Sequence, residues 1–221
     1  MLYIVSTPIG NLKDITLRAL ETLSACDFII AENPKNSLRL LTHYKIPKKE
    51  IRQFAEHNEK KVLDSLVEKL GNKNGCLITD AGTPGISDPG FRLVRACVEA
   101  KIAVSSIPGS TAAIAALASS GLPTDRFLFV GFLPRTETKI IKLITLGKET
   151  ESTLIAYDSP HRIIKTVGFI NNAFPDSQVV VTREMTKLHE EIIRGKPNEV
   201  LENLETKPSI KGEITILISF K

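Results

Sequence analysis

Asp80 and Asp88 stand in the segment Thr79–Gly90, TDAGTPGISDPG, among Gly82, Pro84, Gly85 and Pro89. Carboxylates beside a cleft can pair with a cationic ligand or take a proton from a reacting group. Each also has a structural role open to it. Asp88 can cap the helix that follows, and Asp80 can close an Asx turn. Glu32, Glu56 and His57 are further candidates for proton removal or orientation, because each is a polar residue beside the end of a predicted strand. Glu32 can equally pair with a lysine, and His57 can cap a helix beginning there. Lys35, Arg126, Arg135, Lys139 and Arg162 are the basic residues suited to phosphate, and such contacts would make binding salt-dependent. Arg126 and Arg162 also have acidic neighbours, Asp125 and Asp158, with which to pair.

Three loops rich in Gly and Pro follow predicted strands: STPIGN (Ser6–Asn11), the Thr79–Gly90 segment, and PGSTAA (Pro108–Ala113). In open α/β sheets ligands bind beyond the carboxyl ends of strands. Glycine there lets the backbone approach a ligand closely. Three such loops in one half of the chain point to a shared small-molecule cleft. None reads GxxxxGK[ST], which argues against a P-loop. None reads GxGxxG after the first strand, which argues against a dinucleotide site.

Alternating elements must position these loops. Leu2–Ser6, Asp27–Ala31, Ile51–Phe54, Cys76–Thr79 and Ala103–Ile107 read as strands. Asp14–Ala25, Ser37–Tyr44, His57–Leu70, Arg92–Ala100 and the alanine-rich Thr111–Ser119 read as helices. Asp14 is the expected N-cap of the first helix, with Leu17, Leu20 and Leu23 on its apolar face. After the turn-rich Ser120–Asp125 the pattern restarts, with strands at Phe127–Phe132, Thr153–Tyr157, Gln178–Thr182, Glu190–Arg194 and Glu213–Phe220. Helices are expected at Lys139–Leu146, Arg162–Ala173 and Pro197–Leu204. The pattern predicts an α/β fold with mostly parallel sheets and two domains, 1–121 and 122–221.

The 221 residues carry 42% hydrophobic and 24% charged side chains and a net charge of +4. This is the composition of a globular protein, and its mild basic excess permits an anionic partner without demonstrating one. Cys26, Cys76 and Cys97 fit no CxxC or zinc-ribbon spacing and read as small buried hydrophobes of a reducing compartment. No signal peptide is evident, and no apolar run approaches the ~20 residues of a membrane helix. The expectation is a cytoplasmic protein without a metal. With no Trp and 5% aromatic residues, base-stacking platforms of the RNA-recognition-motif kind are not indicated.

The segments LYIVSTPIGNLKDITLRAL, ITDAGTPGISDPGFRLVRA, IPGSTAAIAALASSGLPTDRFLFVGFLPR and AYDSPHRI resemble the tetrapyrrole-methylase superfamily, and within it the branch that methylates ribosomal RNA. The resemblance runs from Leu2 to about Phe220. It implies two αβα domains with S-adenosylmethionine in the cleft between them, and commonly a homodimer. The implied reaction is 2'-O-methylation of a cytidine in the 16S rRNA of the small ribosomal subunit. Matched position by position, it places Thr7, Pro8, Ile9, Gly10 and Asn11 near the cofactor. It adds Asp80, Ala81, Gly82, Thr83, Pro84 and Gly85 around the methionine part, continued by Ile86, Ser87, Asp88 and Pro89. Pro108, Gly109, Ser110, Thr111 and Ala112 form a further cofactor-facing segment. Pro134, Arg135, Ser159, Pro160, His161 and Arg162 match motifs of the second domain. Of these, Arg135, His161 and Arg162, with Lys35, are the expected RNA contacts.

Two features depart from the family pattern. AENPKNS (Ala31–Ser37) stands where AEDTR is usual, so Asn33, Pro34 and Lys35 replace Asp, Thr and Arg. The chain also ends soon after its last strand. Glu56-His57-Asn58 keeps the family's EHN. The implied chemistry is an in-line displacement, in which the nucleophile is held near attack and a general base helps deprotonate the ribose hydroxyl. The candidates for that base are Glu32, Glu56, His57 and Asp88. Two alternatives stay open: a methyltransferase of this fold acting on a tetrapyrrole or other small molecule, and a relative that binds the cofactor without catalysis.

Overall fold

Apart from two consecutive strands within residues 178–195, strands and helices alternate along the chain in the computed structural model, which describes residues Met1–Lys221. Contacts divide it into two units, Met1–Thr111 and Ala112–Lys221. The first contains β1 (Leu2–Val5), α1 (Leu17–Ala25), β2 (Phe28–Ala31), α2 (Pro34–His43), β3 (Glu50–Gln53), α3 (Glu59–Asn72), β4 (Gly75–Ile78), α4 (Phe91–Glu99) and β5 (Val104–Ile107). Its sheet runs β3-β2-β4-β1-β5 and is parallel throughout.

A parallel sheet covered on both faces needs strands apolar at every position, as FIIA of β2 is. Alternate residues then serve opposite layers. Leu2, Ile4, Phe28, Ile30 and Leu77 pack against Leu66, Leu70, Leu93 and Cys97 of α3 and α4. Val5, Ile29, Ala31, Cys76 and Ile78 pack against Ala19, Leu23 and Leu41 of α1 and α2. So the helices that follow β1 and β2 cover one face, and the helix that follows the intervening β4 covers the other. Where neighbouring strands send their connections to opposite faces, a crevice opens at their carboxyl ends.

The start of α1 differs from expectation. A 3-10 turn occupies Leu12–Asp14, and the Thr16 hydroxyl caps α1 by accepting from the Ala19 amide at 3.1 Å. Leu17 is 80% exposed, so Ala19 and Leu23 form the buried face. All three cysteines are free and buried.

The second unit contains α5 (Ala112–Ser120), β6 (Phe127–Phe132), α6 (Glu137–Glu149), β7 (Thr153–Asp158), α7 (Ile163–Ala173), β8 (Gln178–Arg183), β9 (Glu191–Gly195), α8 (Pro197–Glu205) and β10 (Ile214–Ser219). Its sheet order is β6-β7-β10-β8-β9. Only β6 and β7 are parallel; the β7–β10, β10–β8 and β8–β9 pairs are antiparallel. The expected mostly parallel pairing therefore holds for the first sheet and not the second. No helix separates β8 from β9, so the chain turns back as a hairpin, which only an antiparallel pair permits.

Helices α6, α7 and α8 cover one face through Ile140, Ile144, Ile163, Val167, Ile170, Val200 and Leu204. Helix α5 covers the other, setting Ala113, Ala116 and Leu117 against Ile155, Val180 and Leu217. Arg194 of β9 also donates to the carbonyls of Ser119 and Ser120 at 2.5 and 3.0 Å, satisfying the orphan acceptors of the α5 carboxyl end. The units accordingly divide before α5, not after it at Gly121. No helix is long and apolar enough to cross a membrane.

Candidate functional site

Loops after β1, β4 and β5 are tied together at the carboxyl ends of the first sheet. Thr7 and Gly82 exchange backbone hydrogen bonds of 2.9 and 3.1 Å. The Thr7 hydroxyl donates to the Thr79 carbonyl at 3.1 Å. The Ser6 and Thr83 hydroxyls share a 2.8 Å bond, and Thr83 reaches the Ser110 carbonyl at 3.3 Å. A Cβ on Gly109 would fall 2.8 Å from the Ser6 Cβ, so only glycine lets these backbones approach this closely. Gly109→Ala should force the first and third loops apart, with a stability loss of about 1–3 kcal/mol readable as a lowered urea midpoint.

Within the second loop the Gly85 amide bonds the Pro89 carbonyl at 3.1 Å. Ile86 and Ser87 lie exposed beyond that closure, Ser87 with a φ of 61°. Thus Thr7, Gly82, Thr83 and Ser110 share one bonded network with Gly109 packed into it. Ala112 is the first residue of α5 and belongs to the second unit.

Two of the proposed bases, Glu32 and Asp88, come together with Asp80. Glu32 Oε2 accepts from the Asp80 amide at 3.2 Å, and Asp80 Oδ2 accepts from Asn36 Nδ2 at 2.7 Å. Burial raises the Asp88 carboxyl to a pKa of about 6; the Glu32 and Asp80 charges add to the rise, and a hydrogen bond with the Thr79 side chain opposes it. The N-cap of α4 is Gly90, so Asp88 is not its cap. Glu56 and His57 lie exposed on the turn before α3 and join neither carboxylate. It is Asn58 of that EHN segment that shapes the turn, its Oδ1 accepting from the Ala55 amide at 2.8 Å.

A cavity of about 410 Å³ opens at the same crevice. Thr7, Pro8, Ile9, Gly10 and Leu12 form one wall, and Thr79, Asp80 and Ala81 another. The third wall is α2, which contributes Asn36, Ser37, Arg39, Leu40 and His43. Sequence reasoning missed these five; their signal was Asn36, Arg39, Leu40 and His43 at i, i+3, i+4 and i+7 on one helix face. The Tyr44 hydroxyl donates to the Leu12 carbonyl and ties the first wall to the third. Ser37 is 4% exposed, yet its hydroxyl has no hydrogen-bond partner. Leaving such a group unsatisfied costs about 1–3 kcal/mol.

The unusual AENPKNS segment starts α2 soundly. Asn33 Oδ1 accepts from the Lys35 amide at 3.1 Å, and Pro34 takes the first helical position. Lys35 is exposed and does not line the cavity.

In the second unit Arg162 is committed internally. It pairs with the fully buried Asp158 carboxylate and donates to the carbonyls of Leu133 at 2.6 Å and Pro134 at 3.2 Å. Arg126 donates to the Thr150 carbonyl at 3.1 Å. Arg135, Lys139 and His161 are exposed.

Comparison with known proteins fits this arrangement. Residues 1–201 match the family described as Tetrapyrrole (Corrin/Porphyrin) Methylases. A relative from Hydrogenobaculum sp. is 42% identical over 99% of this chain and 95% of its own length. One from Thermotoga maritima is 42% identical over 100% and 98%, and one from Haemophilus influenzae 46% identical over 100% and 79%. All three are named ribosomal RNA small subunit methyltransferase I. Among solved structures, diphthine synthase superposes with a TM-score of 0.73 at 16% identity, covering 99% of this chain and 89% of that one. The methyltransferase CobJ gives 0.71 at 14%, covering 99% and 93%. At such identities these two establish the fold alone. With its family match over residues 1–201 and near-full-length relatives above 40% identity, the chain belongs to the tetrapyrrole (corrin/porphyrin) methylase family, in the branch of the ribosomal RNA small subunit methyltransferases I.

Proposed function

We propose that this methyltransferase uses S-adenosylmethionine to methylate the 2'-hydroxyl of a cytidine in the 16S rRNA of the small ribosomal subunit. The observation that carries this is the 42% identity over nearly the full length of relatives named for small-subunit ribosomal RNA. The residues present suit the cofactor. Glu32, Asp80 and Asp88 offer negative charge to a sulfonium cation, and Gly109 lets the first and third loops close together at the crevice. The holding residues are Thr7–Gly10, Asp80–Thr83, Ile86–Asp88 and Pro108–Thr111. When bound, S-adenosylmethionine supplies an electrophilic methyl group.

This chain's own residues manage the proton and the substrate. Asp88, with its carboxyl poised near pH 6, takes the proton of the ribose 2'-hydroxyl. Glu32 fixes the Asp80 backbone and keeps the affinity of Asp88 for that proton high. Exposed Lys35, Arg135 and His161 contact the RNA, whereas Arg162 positions the loop that carries Arg135. Such a substrate places the work in the cytoplasm, on assembled subunits; the family resemblance adds a homodimer, which light scattering reads directly. The functional test is mass spectrometry of 16S rRNA from a deletion strain. The expected result is loss of one ribose methyl from a cytidine, restored by the purified protein with S-adenosylmethionine. An unchanged methylation pattern would exclude this substrate.

A further inference from the structure

We infer that the cavity walled by α2 receives a single extruded nucleotide of the RNA, its base in the cavity and its phosphate at the rim. This rests on the RNA reading above and deepens it: Thr7–Gly10, Asp80 and Ala81, proposed to hold the cofactor, also line this cavity, so cofactor and nucleotide share that wall. Three observations carry the inference. The cavity, about 410 Å³, falls within the size range of small-ligand sites. Its walls are apolar at Ile9, Leu12 and Leu40, which suits the faces of a planar ring, and polar at Ser37 and Asp80, which suits a donor and acceptor edge. The Ser37 hydroxyl is buried without a partner. Its own helix does not satisfy it: the Asn33 carbonyl one turn back accepts from the Ser37 amide, and the hydroxyl makes no bond to it. A hydroxyl left this way awaits a group from outside the chain.

The rim adds the charge that a nucleotide needs. Arg39 is exposed and forms no ion pair or hydrogen bond, and His43 stands one turn further along the same face. An unpartnered guanidinium beside a ring-sized cavity suits a phosphate. The Asp80 carboxylate is already oriented by Asn36, leaving acceptor capacity for an exocyclic amine such as that of cytosine. Recognition of one nucleotide in RNA commonly splays its base out of the stack, and a pocket must then hold that base.

The test uses the full chain, S-adenosylhomocysteine, cytidine 5'-monophosphate and unmethylated small subunits. With S-adenosylhomocysteine bound, wild type should bind the mononucleotide, and Arg39→Ala and Ser37→Ala should each weaken that binding about tenfold. The same variants should raise KM for subunits by a similar factor while S-adenosylhomocysteine affinity stays within about twofold. Ser37→Ala removes only an unsatisfied hydroxyl, so a purely structural role predicts equal or greater thermal stability and no change in KM. If either variant loses cofactor affinity tenfold, the cavity belongs to the cofactor and the inference falls. It falls equally if wild type binds no mononucleotide, or if both variants bind and methylate as wild type does. If wild type binds both probes yet leaves subunits unmethylated, the RNA reading fails while the nucleotide cavity stands.

Discussion

Asp88→Asn should slow methyl transfer by about 10²–10⁴-fold and, in the same protein, raise stability at neutral pH. Both effects come from one environment. The Asp88 carboxyl is raised to about 6, first by burial and then by the Glu32 charge, from an ordinary value of 3.8. The native state thus holds this proton up to about pH 6, while the unfolded chain releases it near pH 4. Between those values the native state binds more protons, so stability falls as pH rises, and the full penalty applies above pH 6. A shift of this size corresponds to about 3 kcal/mol as an upper bound, reduced to about 1–2 kcal/mol by the partial exposure of the group. The neutral amide escapes that penalty.

The measured outcome is therefore a crossed pair. Denaturant midpoints of wild type and variant should coincide near pH 4 and separate above pH 6, with the variant the more stable. Wild-type kcat should rise through about pH 6 as the base ionises, and the residual rate of the variant should not. Turnover close to wild type would remove Asp88 from the proton pathway. The same pH-dependent gain with unaltered turnover would mean that its burial serves no step of the reaction.

The layout of the first unit was legible because its physics is local. FIIA of β2 and GCLI of β4 are continuously apolar, and α3 repeats its buried leucines at helical spacing. The Gly/Pro loops marked the strand ends, so the convergence of Thr7, Gly82 and Ser110 followed from an ordinary parallel sheet. Helix α5 was harder. AAIAALASS is apolar on nearly every side, so its pattern does not point to one neighbour, and its allegiance depends on Arg194 far along the chain. The antiparallel pairing of β8, β9 and β10 likewise depends on where the last strand inserts. The wall formed by α2 was hidden for a third reason. Asn36, Arg39 and His43 read as a solvated helix face, and only the position of that helix above the ends of β1 and β4 gives them a cavity. Glu32 and Asp88 were named separately, and their coupling emerges only when β2 and β4 pair.

Arg162→Ala should cost about 3–5 kcal/mol and disable substrate use through the two loops it fastens, its own and the one that carries Arg135. The Asp158 side chain is fully buried, held by the Ser159 amide at 2.8 Å, by the Thr166 hydroxyl at 2.7 Å and by Arg162. Removing the guanidinium leaves a buried carboxylate without its countercharge. It also frees the Leu133 and Pro134 carbonyls, which Arg162 holds from the opposite side. The segment carrying Arg135 and the segment carrying His161 then lose their common fastening, and both are the second unit's proposed RNA contacts. Pairing Arg162→Ala with Asp158→Ala should recover much of the stability, since the stranded charge is gone, but not the activity, since the two loops remain unfastened. The separating measurement is KM for small subunits against S-adenosylhomocysteine affinity in the stabilised double variant. A raised KM with normal cofactor affinity places the clasp in substrate recognition. Full recovery of both would confine it to holding the fold.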